Sequence, residues 1–157
     1  MNELQRQAAV ARWGDMVWRL ALAGAKHQQD AEDIFQDVFE RYFRSESKLT
    51  TDEHRKAWLI RCTVNRCKSL FTSPWRRRKV SLDSIAEQSI PADTREVYLA
   101  VRALPAKYAL VIHLHYYEDC SVAEIARQLG CAEGTVKSQL SRARAMLRQS
   151  LSEEVTL

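Results

Sequence analysis

EDCSVAEIARQLGCAEGTVKSQLSRARAMLRQSL, running from Glu118 to Leu151, carries two helix signals separated by a glycine. Ser121 and Glu124 stand in the S-x-x-E spacing of a capping box, which opens a short helix with Ile125 and Leu129 on its inner face. Gly130 ends it. Ala126, four residues before Gly130, and Val136, six residues after it, fit a helix-turn-helix. The small residue lets two helices cross closely, the glycine permits a left-handed turn, and the valine locks the second helix onto the first. That second helix buries Val136, Leu140, Ala143 and Leu147, leaving Thr135, Lys137, Ser138, Ser141, Arg142 and Arg144 outward. Short donors and long cations of this kind suit base edges and phosphates in a major groove. A solvated helix face is the plainer alternative. The acid-free run from Gly134 to Ser152, the small polar residues at the helix start and the turn spacing favour DNA.

Upstream, the same periodicity predicts more helices. Val10, Trp13, Val17, Leu20 and Ala21 recur at three- and four-residue steps from Leu4 to Ala25. A second helix runs to Arg44 with Asp30 as its N-cap, Ile34, Val38 and Tyr42 buried, and Phe35, Phe39 and Phe43 as a neighbouring core row. Thr50 and Glu53 resemble another capping box, opening a helix to Phe71 that buries Ala57, Ile60, Val64, Cys67 and Phe71. Beyond a proline-interrupted stretch, Val97, Val101 and Leu104 define a helix stopping at Pro105, and the next runs through Ala109, Ile112 and Tyr116. With 4 Gly and 3 Pro in 157 residues, the turn punctuation of an all-β fold is missing. The expected fold is all-α: two small helical domains, residues 1–73 and 94–157, joined by a flexible linker at 74–93 with a short helical turn around Leu82 to Ala86. Fully extended, that linker spans up to about 65 Å.

Several functional classes drop out. No window approaches the ~18 apolar residues of a membrane span, and Arg6, Arg12 and Arg19 interrupt the N-terminal region, so a cytosolic chain without a secretory signal is expected. Cys62, Cys67, Cys120 and Cys131 are too sparse for a disulfide framework and read as small apolar residues. On a helix, five residues turn about 140° and two about 200°, so neither Cys62 with Cys67 nor His113 with His115 converges on an ion; no metal and no cofactor is expected.

Charge is segregated along the chain. Residues 55–79 hold nine basic side chains (Arg55, Lys56, Arg61, Arg66, Lys68, Arg76, Arg77, Arg78, Lys79) and no acid. From Asp30 to Glu40 the sign reverses: Asp30, Glu32, Asp33, Asp37 and Glu40 occur with no basic residue. Two cationic faces and one anionic face imply two kinds of partner.

The segment Glu118–Leu151, with EIARQLG and GTVKSQLSRARAML, resembles region 4.2 of bacterial extracytoplasmic-function (ECF) sigma factors of the sigma-70 family. DAEDIFQDVFERYFR (30–44) and KAWLIRCTVNRCKSL (56–70) resemble region 2, so the likeness covers nearly the whole chain in the right order. It implies a sigma subunit, not an enzyme, that binds core RNA polymerase and directs promoter recognition and melting. Region 2 would pack on the clamp helices of the largest subunit and capture the minus-ten element. Region 4 would read the minus-thirty-five element and dock on the flap of the second-largest subunit. Family members are commonly restrained by an anti-sigma factor.

Carried onto these residues, the likeness makes Asp30, Glu32, Asp33, Gln36, Asp37 and Glu40 the polymerase contact, although helix-dipole compensation alone would account for Asp30, Glu32 and Asp33. Asn65 becomes a reader of the minus-ten strand, with a surface amide as the alternative, and Arg61, Arg66 and Lys68 hold phosphates. Trp58 reads as buried, with base stacking as the alternative. The loop Ser45 to Asp52 corresponds to the family's base-capturing loop, and Arg76 to Lys79 clamp upstream duplex or keep the linker soluble. Thr135, Lys137, Ser138, Ser141, Arg142 and Arg144 form the minus-thirty-five face, while His113, His115, Tyr116 and Tyr117 belong to the core and the flap side. The residues leave open a stand-alone repressor, and a thiol redox sensor or enzyme lacks any nucleophile-base pair.

Overall fold

The computed structural model describes residues 2–71 and 92–155, and every regular element among them is helical. The chain divides into two compact units, Met1–Lys79 and Val80–Leu157.

In the first unit, α1 (Glu3–Ala25), α2 (Gln28–Ser45) and α3 (Asp52–Phe71) pack around one core, with α1 lying against both of the others. Val17, Leu20, Ala21 and Leu22 of α1 meet Ile34, Val38, Phe39 and Tyr42 of α2 and Leu59, Ile60, Val64 and Cys67 of α3, all buried. At about 1.5–3 kcal/mol for each large side chain removed from water, this interior is what holds the helices together. α1 opens on a capping box that pattern reading passes over: Asn2 Oδ1 accepts from Gln5 N–H at 2.8 Å and Gln5 Oε1 accepts from Asn2 N–H at 3.0 Å.

Three local expectations change. α2 begins at Gln28 with His27 before it, so Asp30 is no cap; it lies in the first turn, only 4% exposed. The cap of α3 is Thr51, whose hydroxyl accepts from His54 N–H at 3.1 Å, one residue beyond the Thr50–Glu53 reading. Phe39 is core, but Phe35 and Phe43 are half-buried, because a row spaced by four drifts around the helix from core to rim.

The second unit contains α4 (Ala92–Ala103), α5 (Ala106–Ile112), a widened turn (His113–Tyr117), α6 (Val122–Leu129) and α7 (Glu133–Val155). Residues 74–91 of the expected linker, with Arg76 to Lys79 and the Leu82–Ala86 turn, lie outside the described residues; residues 92 and 93 belong to α4 rather than to the linker. Leu104, Leu110, Val111, Leu114, Ile125, Val136, Leu140 and Ala143 are the main core. In the widened turn Glu118 N–H donates to His113 O at 3.2 Å, five residues back. Inside that turn Tyr116, on the helix that runs through Ala109 and Ile112, is 52% exposed. His113 is buried, with Nε2 3.2 Å from Glu118 Oε1.

Candidate nucleic-acid interface

The helix-turn-helix forms as the sequence dictates. Ser121 Oγ accepts from Glu124 N–H at 3.1 Å and Glu124 Oε1 accepts from Ser121 N–H at 3.2 Å, which starts α6. Gly130 closes it at φ +69°, donating its N–H to Ala126 O. A Cβ there would meet nothing within 4 Å, so backbone conformation rather than crowding requires the glycine. Ile125, Ala126, Val136, Leu140 and Ala143 are buried, in a core where α7 packs on both α5 and α6.

Thr135, Lys137, Ser138, Ser141 and Arg142 are exposed along α7. Arg142 reaches Tyr108 at the start of α5, and the phenol is held below its ordinary range chiefly by that hydrogen bond. Lys107 lies over the Tyr108 ring at 5.0 Å, adding a cation that pattern reading left out. Arg144 departs from this face. Two residues turn a helix about 200°, which carries it to the opposite flank from Arg142. There Arg144 Nε donates to Tyr116 Oη at 2.6 Å, with its guanidinium 5.5 Å from the ring centre. Arg144 and Arg148 rim an apolar groove of about 680 Å³ with Val97, Val101, Tyr116 and Leu147 in its walls.

In the first unit, α2 and α3 enclose an open groove of about 640 Å³. Of the four residues assigned to the minus-ten strand, Arg61, Asn65 and Arg66 line it and Lys68 does not, and Arg41, Arg44, Ser45, Trp58 and Ser69 join them. Trp58 is half-buried rather than core, its ring centre 5.8 Å from that of Tyr42. Periodicity missed Arg41 and Arg44 because they sit on a helix otherwise read for its acids. Cys62 also lines the groove, and burial pushes its thiol above the ordinary value, which disfavours the reactive thiolate a redox sensor needs.

The acidic residues of α2 fall into three places. Glu32, Asp33, Gln36 and Glu40 are exposed. Glu32 and Gln36 also border a groove of about 470 Å³ between α1 and α2, walled by Val10, Gly14, Trp18 and Phe35. Asp30 is under the surface. Asp37 turns toward the arginine groove, where one oxygen, Oδ2, takes Arg41 Nε at 3.0 Å and Arg66 Nε at 2.6 Å. Asp30 therefore lies off the outer edge where the sequence reading put it, whereas Asp37, one turn on from Asp33 on the same stripe of α2, stays partly exposed while it pairs with the two arginines.

The loop from Ser45 to Asp52 is tied from within. It holds a short 3₁₀ turn at Glu46–Lys48 and buries Leu49. Arg55 Nη2 donates to Leu49 O at 3.1 Å, and its Nη1 lies 3.0 Å from Asp52, whose other oxygen pairs with Arg12 at 2.7 Å.

Residues 9–77 match the family model for Sigma-70 region 2, and residues 94–147 match Sigma-70, region 4. The chain belongs to the sigma-70 family. Within it the likeness is to the ECF group. The chain is 33% identical over 168 aligned positions to the ECF RNA polymerase sigma factor SigE of Mycolicibacterium smegmatis, covering 97% of this chain and 62% of that protein. It is 31% identical over 137 positions to the ECF sigma factor SigM of Mycobacterium tuberculosis, covering 85% and 70%. The fold matches that of the sigma factor RpoE from Bartonella quintana, solved with the anti-sigma factor NepR, at a TM-score of 0.74 and 23% identity over 93% of this chain and 96% of that one.

Proposed function

We propose that this ECF sigma-70 family member is a promoter-specificity subunit that binds core RNA polymerase and directs initiation, with no catalysis of its own, acting in the cytoplasm. Its domains are residues 1–73 for region 2, 74–91 as linker and 92–157 for region 4. The second unit reads the minus-thirty-five element with Thr135, Lys137, Ser138, Ser141 and Arg142, the α7 N-terminal half entering the major groove. The first unit takes the minus-ten strand in the α2–α3 groove: Asn65 offers an amide to a base edge, Trp58 a ring face, and Arg61 and Arg66 phosphate contacts, with Lys68 outside the groove adding charge.

The polymerase surfaces lie elsewhere on each unit. Glu32, Asp33, Gln36 and Glu40, beside the α1–α2 groove, suit the basic residues of the clamp helices. The apolar groove rimmed by Arg144 and Arg148 suits an apolar segment of the flap. An anti-sigma factor that covers these surfaces completes the partner set.

The observation that carries the proposal is the arginine-lined groove with a half-exposed tryptophan in a unit separate from the helix-turn-helix. A repressor reading duplex DNA needs the second unit, whereas capture of a melted strand needs the first. Run-off transcription with purified core polymerase tests it. Core-dependent initiation from a selected promoter is expected, and a protein that binds DNA yet yields no transcript is a repressor. Replacing Asp33 and Glu40 by Lys should reduce association with core while leaving the helical content intact; undiminished association would show that the acidic edge is merely solvated.

A further inference from the structure

The loop between α2 and α3 is fastened chiefly by one side chain. Within it Leu49 N–H donates to Glu46 O at 3.0 Å, and the Leu49 side chain is buried. Arg55, in the first turn of α3, ties the rest. Its Nη2 donates to Leu49 O at 3.1 Å and lies 3.7 Å from Glu46 Oε1, while Nη1 lies 3.0 Å from Asp52 Oδ1. One planar fork thus touches the start, the middle and the end of the loop. Asp52 Oδ2 in turn takes Arg12 Nη2 of α1 at 2.7 Å, so the clasp reaches the third helix. A lysine would offer a point charge without this fork.

The loop also meets the α2–α3 groove. Arg44 and Ser45 line the groove where α2 gives way to the loop, and on α3 Arg55 precedes the lining residues Trp58, Cys62 and Asn65 at helical steps of three and four. Burial pushes the Tyr42 phenol above its ordinary value against the opposing charge of Arg55, and the Tyr42 ring centre stands 5.8 Å from that of Trp58. Around buried Leu49, the side chains of Ser47, Lys48 and Thr50 are exposed. A loose loop must be ordered when a ligand arrives, whereas a fastened one offers its exposed side chains in fixed places.

We propose that Arg55 is a positioning residue for strand recognition: it presets the loop at the end of the groove, so that Ser47, Lys48 and Thr50 meet a single DNA strand without prior ordering. The proposal rests on the reading of the groove as the minus-ten site. Arg55 acts through the loop and not on DNA, since its terminal nitrogens are engaged and only 25% of its side chain is exposed.

The test uses the full chain, alone and as holoenzyme with core polymerase. In the free chain, hydrogen exchange read by mass spectrometry follows the loop amides. Arg55→Gln should speed their exchange by about tenfold or more, the fold-change that a charge-assisted hydrogen bond is worth, with helical content unchanged. In holoenzyme, the probes are fluorescent single-stranded oligodeoxynucleotides carrying the start-mapped minus-ten sequence or its scramble. Arg55→Gln should weaken binding of the matched strand by about threefold to tenfold, the scale of ordering a rotamer-rich side chain on binding. Scramble binding, salt slope and core affinity should stay as they are. Arg55→Lys should reproduce the loss. Asp52→Asn, at an exposed position, should give a smaller loss in the same direction, since the bond to Leu49 O remains.

Matched and scrambled strands weakened alike, with the salt slope lowered by about 0.7, would make Arg55 a phosphate contact and overturn the positioning role. Faster exchange with an unchanged strand preference would overturn it as well, and so would full recovery in Arg55→Lys. Arg61→Ala separates these failures from failure of the site. If Arg61→Ala weakens strand binding while Arg55→Gln alters neither exchange nor preference, only the positioning role is lost. If Arg61→Ala leaves strand binding untouched, the groove is not the minus-ten site and both readings go.

Discussion

The groove between α2 and α3 and the outer face of α7 are both cationic, yet an acid is built into one and missing from the other. At the groove, Asp37 ties two of the lining arginines, Arg41 and Arg66, and a tryptophan lines the same groove. On α7, residues 134–152 contain no carboxylate, and the side chain that engages Arg142 is a phenol. On the proposed function, the difference follows the two forms of DNA. Duplex phosphates stand at regular spacings that a rigid helix can meet with mobile cations, so neutralising charge there would only lose affinity. A single strand brings no geometry of its own, so the protein must supply it.

Breaking the second surface from beneath should give the largest effect. Leu140 is 2% exposed in the core of the second unit, and Leu140→Ala should destabilise that unit by about 2–5 kcal/mol. None of the four tryptophans (Trp13, Trp18, Trp58 and Trp75) falls within residues 92–155, so tryptophan fluorescence does not report the helices of the second unit. Urea unfolding followed by circular dichroism should show a shifted phase that fluorescence does not; coincident shifts would mean that the units unfold together.

Next in size is Arg142→Ala, which should weaken binding to a minus-thirty-five duplex by about 1–3 kcal/mol if the guanidinium reads bases, and by less, with a shallower salt slope, if it holds phosphate. The same change carries a second signal. The Tyr108 hydrogen bond to Arg142 favours phenolate, so its loss should raise the Tyr108 titration midpoint in an ultraviolet titration. An unmoved midpoint would remove Arg142 from Tyr108.

Gly130→Ala should cost about 1 kcal/mol of second-unit stability, through the left-handed backbone alone, since open space surrounds the position. A clearly larger loss, read in the same urea experiment, would point to a clash. The smallest expected effect sharpens the boundary of the α7 face. Arg144→Ala should change duplex affinity by less than about 0.5 kcal/mol, as expected for a surface change away from the binding face. A loss matching that of Arg142→Ala would place both flanks of α7 on DNA.

The elements most legible in the sequence are those whose signals are local. Ser121, Glu124, Gly130 and Val136 each act within a few residues, and each does in three dimensions what its spacing implies. Core positions such as Val17, Ile34 and Leu140 follow from periodicity because packing repeats with the helix. What escaped depends on partners distant along the chain or on altered helical pitch. Arg144 was grouped with Arg142 by composition, though a 200° turn separates them and Tyr116, 28 residues earlier, receives it. Tyr116 itself lies in the widened turn, where the regular helical period is broken. Asp37 resembled its neighbours in charge, and its pairing with Arg66 on another helix has no signature along the chain. Arg55 likewise read as one more cation, whereas it fastens the Ser45–Asp52 loop by a backbone carbonyl and a carboxylate.

Gly14 sits inside α1 where a flexible residue weakens a helix by about 1 kcal/mol relative to alanine. A methyl at that position would stand 3.4 Å from Val10 Cγ1 and 3.7 Å from the Phe35 ring, filling part of the recess between α1 and α2. One added carbon would thus stiffen the scaffold and make the recess shallower together. On the proposed function, heat resistance and grip on the polymerase become opposed quantities at this residue, so a screen that rewards only the first would select a sturdier chain that had become a poorer subunit.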